Sequence, residues 1–333
     1  MVSSASDGDK STGYAVPSEF AAFDKQTLKN SKGILFKDFR KNLKPKYWVV
    51  WRDIFLAYAV LFFVGIGLWI FQTVSLPIST FLVLLGALVF GYTIAFIQLF
   101  FHEAAHFNIA KNRLLNDLLT DIFIGGMVGQ DVRKYRLIHW GHHKWHGTPM
   151  DSEQTYFDPL NSKFIVESLL GIKVLNVLSK RQSRLDSEKV YPFGFISIHF
   201  ILGVIANLLL LLFLLYAGKW QLGLAWLLGM TVVFPFFASL RQVLEHRDEE
   251  ADSRVNYHEI AHGMINRIFG DGLIADTLGG AGFNRHLLHH WDPQCSYTRL
   301  KALESYLMDT PVNSALQKRR TTYWKTFLRL YST

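Results

Sequence analysis

This chain of 333 residues has very little cysteine, and its charged residues are missing from several long stretches. The one cysteine, Cys295, excludes an internal disulfide and suits a protein whose polar parts face a reducing compartment. The first twenty residues lack the apolar core of a secretory signal peptide. Their Ser, Gly and Asp content predicts a flexible tail over residues 1–30.

Four stretches of 18 to 25 residues contain no Asp, Glu, Lys or Arg, and they lie at 54–71, 78–101, 193–217 and 220–240. As helices rising about 1.5 Å per residue, each would span or nearly span a hydrocarbon core of about 30 Å. This excludes an ordinary soluble enzyme. It also excludes an all-membrane bundle, because most of the chain lies outside these stretches. We therefore predict an integral membrane protein with large polar segments.

The distribution of basic residues predicts the topology. Short loops at 72–77 and 218–219 would join the stretches into two antiparallel hairpins, with the N-terminus, the segment 102–192 and the tail 241–333 on one side. Of the 35 Lys and Arg residues, all but Lys219 lie on that side, so the positive-inside rule predicts that it is cytosolic. In such a chain, the net charge of +8 favours an anionic lipid surface over nucleic acid.

The segments that flank the spans are basic and aromatic. We predict a basic juxtamembrane segment at 31–53, a catalytic domain at 54–300 and a basic amphipathic tail at 301–333. Both flanks are typical of interfacial helices over anionic lipid. For the C-terminal tail, a solvated charged face is an equally good interpretation.

Most of the thirteen histidines are concentrated in three clusters on the side assigned to the cytosol. The clusters are His102-Glu-Ala-Ala-His106, His139-Trp-Gly-His142-His143 and His286-Leu-Leu-His289-His290. Residues three and four apart share a helix face, so each cluster is expected to project its imidazoles in one direction. Neutral imidazole binds Fe, Zn, Cu and Ni. Eight clustered imidazoles are too many for one ion, and they suit two ions with open positions.

Two other interpretations of the clusters are open. His102-Glu103-x-x-His106 matches the zinc-protease motif H-E-x-x-H, in which the Glu is the general base, but this would leave the other two clusters idle. The second interpretation is that the chain is a non-catalytic metal-binding or transport protein. Transport would favour charged residues within the spans, and the four stretches have none.

The order H-x3-H, H-x2-H-H, H-x2-H-H, alternating with paired spans, resembles the membrane-bound fatty acid desaturase family, which includes related hydroxylases and ketolases. The resemblance covers roughly residues 50–300. Ser239-Leu-Arg-Gln-Val-Leu-Glu-His246 resembles the family's Arg…Glu-His segment, and Asn284-Arg-His-Leu-Leu-His-His290 resembles its third histidine box. The pattern is specific for the family but separates desaturases from hydroxylases poorly.

The resemblance implies an all-α integral membrane fold, with four transmembrane helices in two hairpins and a cytosolic helical cap that carries a di-iron centre. The implied metal ligands are His102, His106, His139, His142, His143, His286, His289 and His290, with His246 as the ninth. Residues next to these ligands are candidates to support them through hydrogen bonds. They are Glu103, Gln242, Glu245, Asn284 and Asp292.

Four further histidines have weaker assignments. His146 is seven residues beyond His139, so it can share that helix face as a supporting group. His199 lies inside an apolar stretch, where a hydrogen-bonded packing role is favoured. His258 and His262 repeat the H-x3-H spacing without a family counterpart, and we predict structural or surface roles.

The implied activity is that of an O2-dependent desaturase with two iron ions (Fe2+/Fe3+), which places a double bond in the acyl chain of a membrane lipid or fatty acyl thioester. A hydroxylase or ketolase of a carotenoid, alkane or sphingoid lipid would use the same centre. The H-P-G-G haem motif of a fused cytochrome b5 domain is missing. Electrons are therefore expected from a separate donor, ferredoxin or cytochrome b5 with its reductase. A bacterial inner membrane and the endoplasmic reticulum would both suit this chain.

Overall fold

The computed structural model describes residues 20, 23–151, 153, 155–187 and 198–332. Over those residues the regular structure is helical, and strand-like pairing is limited to isolated bridges between Lys29 and Leu35 and between Ile268 and Arg320. Most of the predicted tail 1–30 and residues 193–197 of the third predicted span lie outside the described residues.

The described helices are numbered along the chain. They are α1 (Phe36–Arg40), α2 (Tyr47–Ile70), α3 (Leu76–Ala105), α4 (Arg113–Thr120), α5 (Gly126–Val128), α6 (Val132–Trp145), α7 (Ser162–Leu169), α8 (Ile172–Ser187), α9 (Ile198–Tyr216), α10 (Trp220–Leu228), α11 (Phe234–His246), α12 (Leu273–Leu278), α13 (His286–Trp291), α14 (Tyr297–Met308), α15 (Asn313–Lys318) and α16 (Tyr323–Ser332). π-Helical turns at Asp121–Gly125 and Gly229–Val233 lead into α5 and α11, and short 3-10 turns lie at Thr155–Phe157 and Phe283–Arg285.

Four described helices are long and apolar enough to cross a membrane, which confirms the prediction of an all-helical chain with four candidate spans. They are α2, α3, α9 and the continuous run Trp220–His246, which comprises α10, the π-turn and α11. Large apolar side chains such as Phe62, Phe63 and Leu212 are exposed on their outer faces. Such faces suit contact with lipid rather than water.

Three of these helices continue beyond the charge-free stretches that predicted them. α2 begins at Tyr47 rather than residue 54, α3 ends at Ala105 rather than residue 101, and α11 ends at His246 rather than residue 240. Each extension adjoins a polar segment, because a helix need not end where it leaves an apolar layer. As a result, two histidines occupy the ends of spanning helices.

Helix α3 lies at the centre of the candidate spanning helices and packs against α2, α10 and α11. Gly91 on α3 faces Gly229 and Val233 in the π-turn, which lets the two backbones approach closely. Phe90 beside it makes an edge-on contact with Trp226, with ring centroids 5.5 Å apart. This contact fixes α3 against the fourth span, and both of these helices carry histidines at their ends.

Alanine at Gly91 should therefore loosen the spanning helices. A Cβ at this position would lie 2.6 Å from the Gly229 carbonyl oxygen, and overpacking of this kind costs about 1–3 kcal/mol. We expect a lower midpoint of thermal unfolding in detergent. Gly65→Ala on α2 is the matched control, because a Cβ there meets nothing within 4 Å. Equal midpoints for the two variants would show that the Gly91 contact does not hold the helices together.

The helix that carries the third histidine cluster is held by a second hydrophobic core. Every side chain of α13 is buried. Trp291 at its end contacts Phe36 of α1, with ring centroids 4.8 Å apart, and Phe36 also contacts Tyr306 of α14. This core joins the segment before the first spanning helix to the C-terminal helices, and it leaves α13 little freedom to move.

Candidate metal centre

The nine predicted ligands come from four separate helices and are all buried, none more than 7% exposed. α3 supplies His102 and, just past its end, His106; α6 supplies His139, His142 and His143; α11 supplies His246; and α13 supplies His286, His289 and His290. Because α3 and α11 are fixed by the spanning helices and α13 by the second core, the rings are held in place from several directions.

The structure gathers the nine imidazoles into two groups that can each hold a metal ion. The first is His102, His106, His139, His143 and His289, and the second is His142, His246, His286 and His290. Within each group, one ligand atom per residue lies within 4.8 Å of every other. The sequence expectation of two metal positions agrees with this division, and the role of each histidine as a ligand stays a prediction.

The division corrects the expectation that each H-x-x-H-H cluster points in one direction. On α6, His139 and His143 join the first group, whereas His142 joins the second. On α13 the pattern is reversed, because His286 and His290 join the second group and His289 the first. Successive residues of a helix are rotated by about 100°, so the adjacent histidines of each cluster face different positions. Each of these two clusters therefore contributes to both groups, whereas His102 and His106 both belong to the first.

The distances between the ring nitrogens are those expected of ligands that bind the same metal ion. The Nε2 atom of His139 lies 2.8 Å from that of His106 and 3.0 Å from that of His143. In the second group, the Nε2 atom of His286 lies 3.1 Å from that of His246 and 3.0 Å from that of His290. Imidazole nitrogens bind a zinc-sized ion at about 2.0–2.1 Å, so two ligands at a right angle would lie about 3 Å apart. The observed distances match that arrangement.

Burial keeps most of these rings in the form that binds metal. It lowers the pKa of His106 to about 3, with a further contribution from the nearby Arg136. Burial, followed by the neighbouring imidazoles, holds the pKa of His139, His143 and His290 well below the usual range. The rings are therefore neutral at physiological pH. An all-nitrogen set of neutral ligands suits Fe, Zn, Cu or Ni, and is a poor match for Mg or Ca.

His142 differs, because a buried carboxylate supports it. Its Nδ1 atom lies 2.8 Å from Oδ2 of Asp151, which also accepts a hydrogen bond from the Tyr156 hydroxyl. Burial opposes protonation of His142, but the charge of Asp151 and this hydrogen bond raise its pKa overall. A carboxylate on Nδ1 fixes the tautomer that leaves Nε2 free for a metal. Sequence reasoning missed Asp151, since it lies in an irregular loop.

Two further side chains border the second group. The Nδ1 atom of His246 lies 3.0 Å from Oδ1 of Asn266, a residue that sequence reasoning also missed. His146 lies with its ring centroid 4.5 Å from that of His290, and its Nδ1 atom is 3.6 Å from Asp151. His146 therefore lies beside the rings of the second group and not on the face of His139, where its seven-residue spacing predicted it, and its backbone lies just past the end of α6.

The five residues predicted to support the ligands make their hydrogen bonds elsewhere, as far as the described residues show. Glu103 accepts from the Tyr297 amide at 3.1 Å, and its carboxylate is 4.0 Å from the His102 ring. Gln242 donates to Glu153, and Glu245 pairs with Arg241 and Tyr323. Buried Glu103 holds the loop before α14, which leaves it badly placed to act as the base of a zinc protease.

The other two of the five stabilise the surroundings of α13. Asn284 donates to the Gly270 carbonyl and to Asp276 at 3.0 and 3.1 Å. Asp292 forms an ion pair with Arg40 at 2.5 Å. Being next to a ligand in sequence did not place these side chains next to a ring, because the backbone turns away at both ends of the short helix.

The remaining histidines lie outside the two groups. His199 lies 3.5 Å from Asp131, and His258 lies 3.0 Å from the Lys180 amino group. His262 is buried against Tyr257 and Tyr156. Burial lowers the pKa of His262 to about 3, with Arg247 adding to the effect. A structural environment for these three agrees with their sequence interpretation.

A large cleft, with a volume of about 1080 Å³, opens beside the centre between α2, α3 and the loop before α13. Along α2 and α3 its lining is apolar, with Val60 and Leu88, and its other end is charged, with Arg52 and Lys301. Phe283, which lies between the lining residues Gly282 and Asn284, packs on the His102 and His286 rings, with centroids 4.5 and 4.8 Å away. The cleft therefore ends close to the histidines.

Comparison with known families gives a match over most of the chain. The chain fits the family model described as fatty acid desaturase over residues 79–327, which is well over half of its length. All nine clustered histidines fall within that range. A search of curated proteins found no match.

Proposed function

The chain belongs to the fatty acid desaturase family, and on that premise we propose that it is an O2-dependent di-iron desaturase. Its substrate would be the acyl chain of a membrane lipid or a fatty acyl thioester, into which it introduces a double bond. The observation that carries the proposal is the pair of buried histidine groups within the family match. The family implies an oxidoreductase, and the groups supply a metal site for it.

The residues present fit two iron ions. His102, with four other imidazoles, would hold one ion, and His286, with three others, would hold the second. Bound iron would supply the one-electron oxidising power, with O2 as co-substrate, that no side chain has. The contribution of the chain is to hold neutral imidazoles at ligand spacing, with Asp151 keeping the ring of His142 in the tautomer that leaves Nε2 free. Burial of the centre keeps bulk water away from it.

The cleft supports a lipid substrate. Its apolar part lies between α2 and α3, two helices that are candidates to cross the membrane. A chain could therefore enter sideways from the bilayer, while its polar end stays near Arg52 and Lys301. The sequence Gly279-Gly280-Ala281-Gly282 forms one wall. A Cβ on Gly282 would come within 2.7 Å of Tyr297, so the small residues let the loop pack closely beside the cleft.

We further propose that the centre and both termini face the cytosol, in a bacterial inner membrane or the endoplasmic reticulum. The position of all but one of the Lys and Arg residues supports this orientation. The electron donor would be a separate ferredoxin, or cytochrome b5 with its reductase, that reaches the centre from the same side.

The test is to express the chain with each donor system, purify it, measure its metal content and profile lipids by mass spectrometry. We expect two iron ions per chain and O2-dependent lipids lighter by two hydrogens. Membranes without the chain are the control. Products heavier by one oxygen would show a hydroxylase. Zinc in the purified protein, together with lipids that do not change with either donor, would contradict the proposal.

A further inference from the structure

A second cavity, of about 210 Å³, is lined by residues of α3, α6, α8 and α11. We call it the polar pocket. Its apolar part includes Val128, Val174, Val177 and Phe234. Its polar part consists of Gln98, Gln130, Tyr135, Glu153, Thr155, Arg181, Ser239, Arg241 and Gln242. This composition is more polar than that of the cleft, and it favours a ligand of a different kind.

Four polar atoms in the pocket are buried and have no hydrogen-bond partner among the described residues. They are Gln98 Oε1, Thr155 Oγ1, Arg181 Nε and Ser239 Oγ. Ser239 and Thr155 are only 2% and 4% exposed. A buried polar atom without a partner is costly, so native structures rarely leave one unsatisfied. Four of them around one cavity indicate a polar ligand.

The charges in the pocket are already balanced. Glu153 pairs with Arg181 at 2.8 Å and accepts from Gln242 at 2.7 Å. Arg241 pairs with Glu245 at 3.2 Å. A ligand with a net charge would therefore be left without a counter-ion, which favours a neutral group.

The unpartnered atoms define which neutral group fits. The amide oxygen of Gln98 only accepts, Arg181 Nε only donates, and the hydroxyls of Ser239 and Thr155 do both. The ligand must therefore both donate and accept hydrogen bonds. A hydroxyl group does this, whereas a carboxylate or phosphate would leave Gln98 without a donor.

The pocket lies close to the histidines. Ser239, Gln242 and His246 share one face of α11, and Ser239 is about 10 Å from His246 along the helix axis. Tyr135, which lines the pocket, stacks on the His139 ring with centroids 5.4 Å apart. A group held at Ser239 would therefore lie several carbons from the metal centre along an extended chain.

The pocket and the cleft each share lining residues with a third, very small cavity. That cavity is lined by Phe96 and Phe237, which also line the cleft, and by Arg241, which also lines the pocket. One lipid chain could occupy both spaces if these side chains shift.

We propose that the polar pocket binds a hydroxyl group carried by the lipid chain, and that the substrates are therefore hydroxylated lipids. The identification of the ligand as a substrate rests on the proposed function. The pocket would fix which carbon lies next to the metal, since a hydrogen-bonded group anchors the chain at one point.

The test is competition binding to the purified full-length protein. The probes are methyl octadecanoate and its isomers with one hydroxyl at successive positions, each displacing a fluorescent polyene methyl ester. A hydrogen bond of ordinary strength corresponds to a preference of about three- to tenfold. We expect at least one isomer to bind better than methyl octadecanoate by that factor. Ser239→Ala and Thr155→Val should each reduce the preference towards unity.

Ser168→Ala is the matched control, because the Ser168 hydroxyl is also buried and unpartnered among the described residues but lies outside the pocket. It should keep the full preference. The proposal is overturned if every isomer binds like the unsubstituted ester, or if Ser239→Ala and Thr155→Val keep the preference, since the pocket would then hold water. If the protein oxidises unsubstituted acyl chains but shows no preference for a hydroxylated isomer, only the assignment of the pocket is wrong. If the preference for a hydroxylated isomer depends on the pocket but the protein oxidises no lipid, only the proposed function is wrong.

Discussion

Alanine in place of His289 or His286 will abolish lipid oxidation, and each variant will lose metal from a different group. His289 belongs to the group of five imidazoles, so four remain after its removal. His286 belongs to the group of four, so only three remain. We therefore expect His286→Ala to lose more metal than His289→Ala, although both lose activity because the proposed reaction needs both ions. Metal content per chain, measured beside product formation, checks this.

The control for these variants is His258→Ala. His258 is partly exposed, contacts Lys180, and belongs to neither group. It should keep both ions and full activity. If His289→Ala keeps its metal and its product, the assignment of ligands is wrong. If all three variants lose metal equally, the histidines act on folding rather than on a metal.

Helical periodicity predicted that the histidines within a cluster lie close together, whereas His246 was included because of the family resemblance. The spacing of three and four residues reports a helix face, so the rings of α6 and α13 could be expected near a common site. The division into two groups could not be read in this way. It depends on how α6 and α13 are rotated relative to each other, which brings His289 to His143 and places the His290 ring 5.3 Å from that of His142. That rotation is set by packing between helices that are distant in sequence.

Supporting residues were harder to predict for the same reason. Asp292 is two residues from His290, yet its partner is Arg40, from a segment far away in the chain. Asp151 reaches His142 because the chain turns back after α6 through Gly147, whose φ of +75° favours glycine. Neither contact follows from a regular spacing of residues in the sequence. The spanning helices could be found from composition alone, because a long charge-free stretch meets a simple physical requirement.

Asparagine in place of Asp151 should lower metal affinity or activity by about 10- to 100-fold, the usual effect of losing a hydrogen-bond partner of a ligand. Both carboxylate oxygens of Asp151 accept: Oδ2 from His142 and Tyr156, and Oδ1 from the Glu153 amide at 2.8 Å. An amide has one oxygen, so in either orientation its NH2 group would face a donor. If it faces His142, the ring must move its proton to Nε2, the atom needed for the metal.

The matched control is Asp292→Asn, since that half-buried acid lies beside the third cluster but pairs with Arg40. It should keep both ions, and any effect should appear as a lower unfolding midpoint. The decisive measurement is metal retention during titration with a chelator, for the two variants and the unaltered protein. Early loss from Asp151→Asn alone supports the Asp151–His142 pair. If both variants lose metal equally early, the contact between Asp151 and the His142 ring has no special role in holding the metal, and the prediction is wrong.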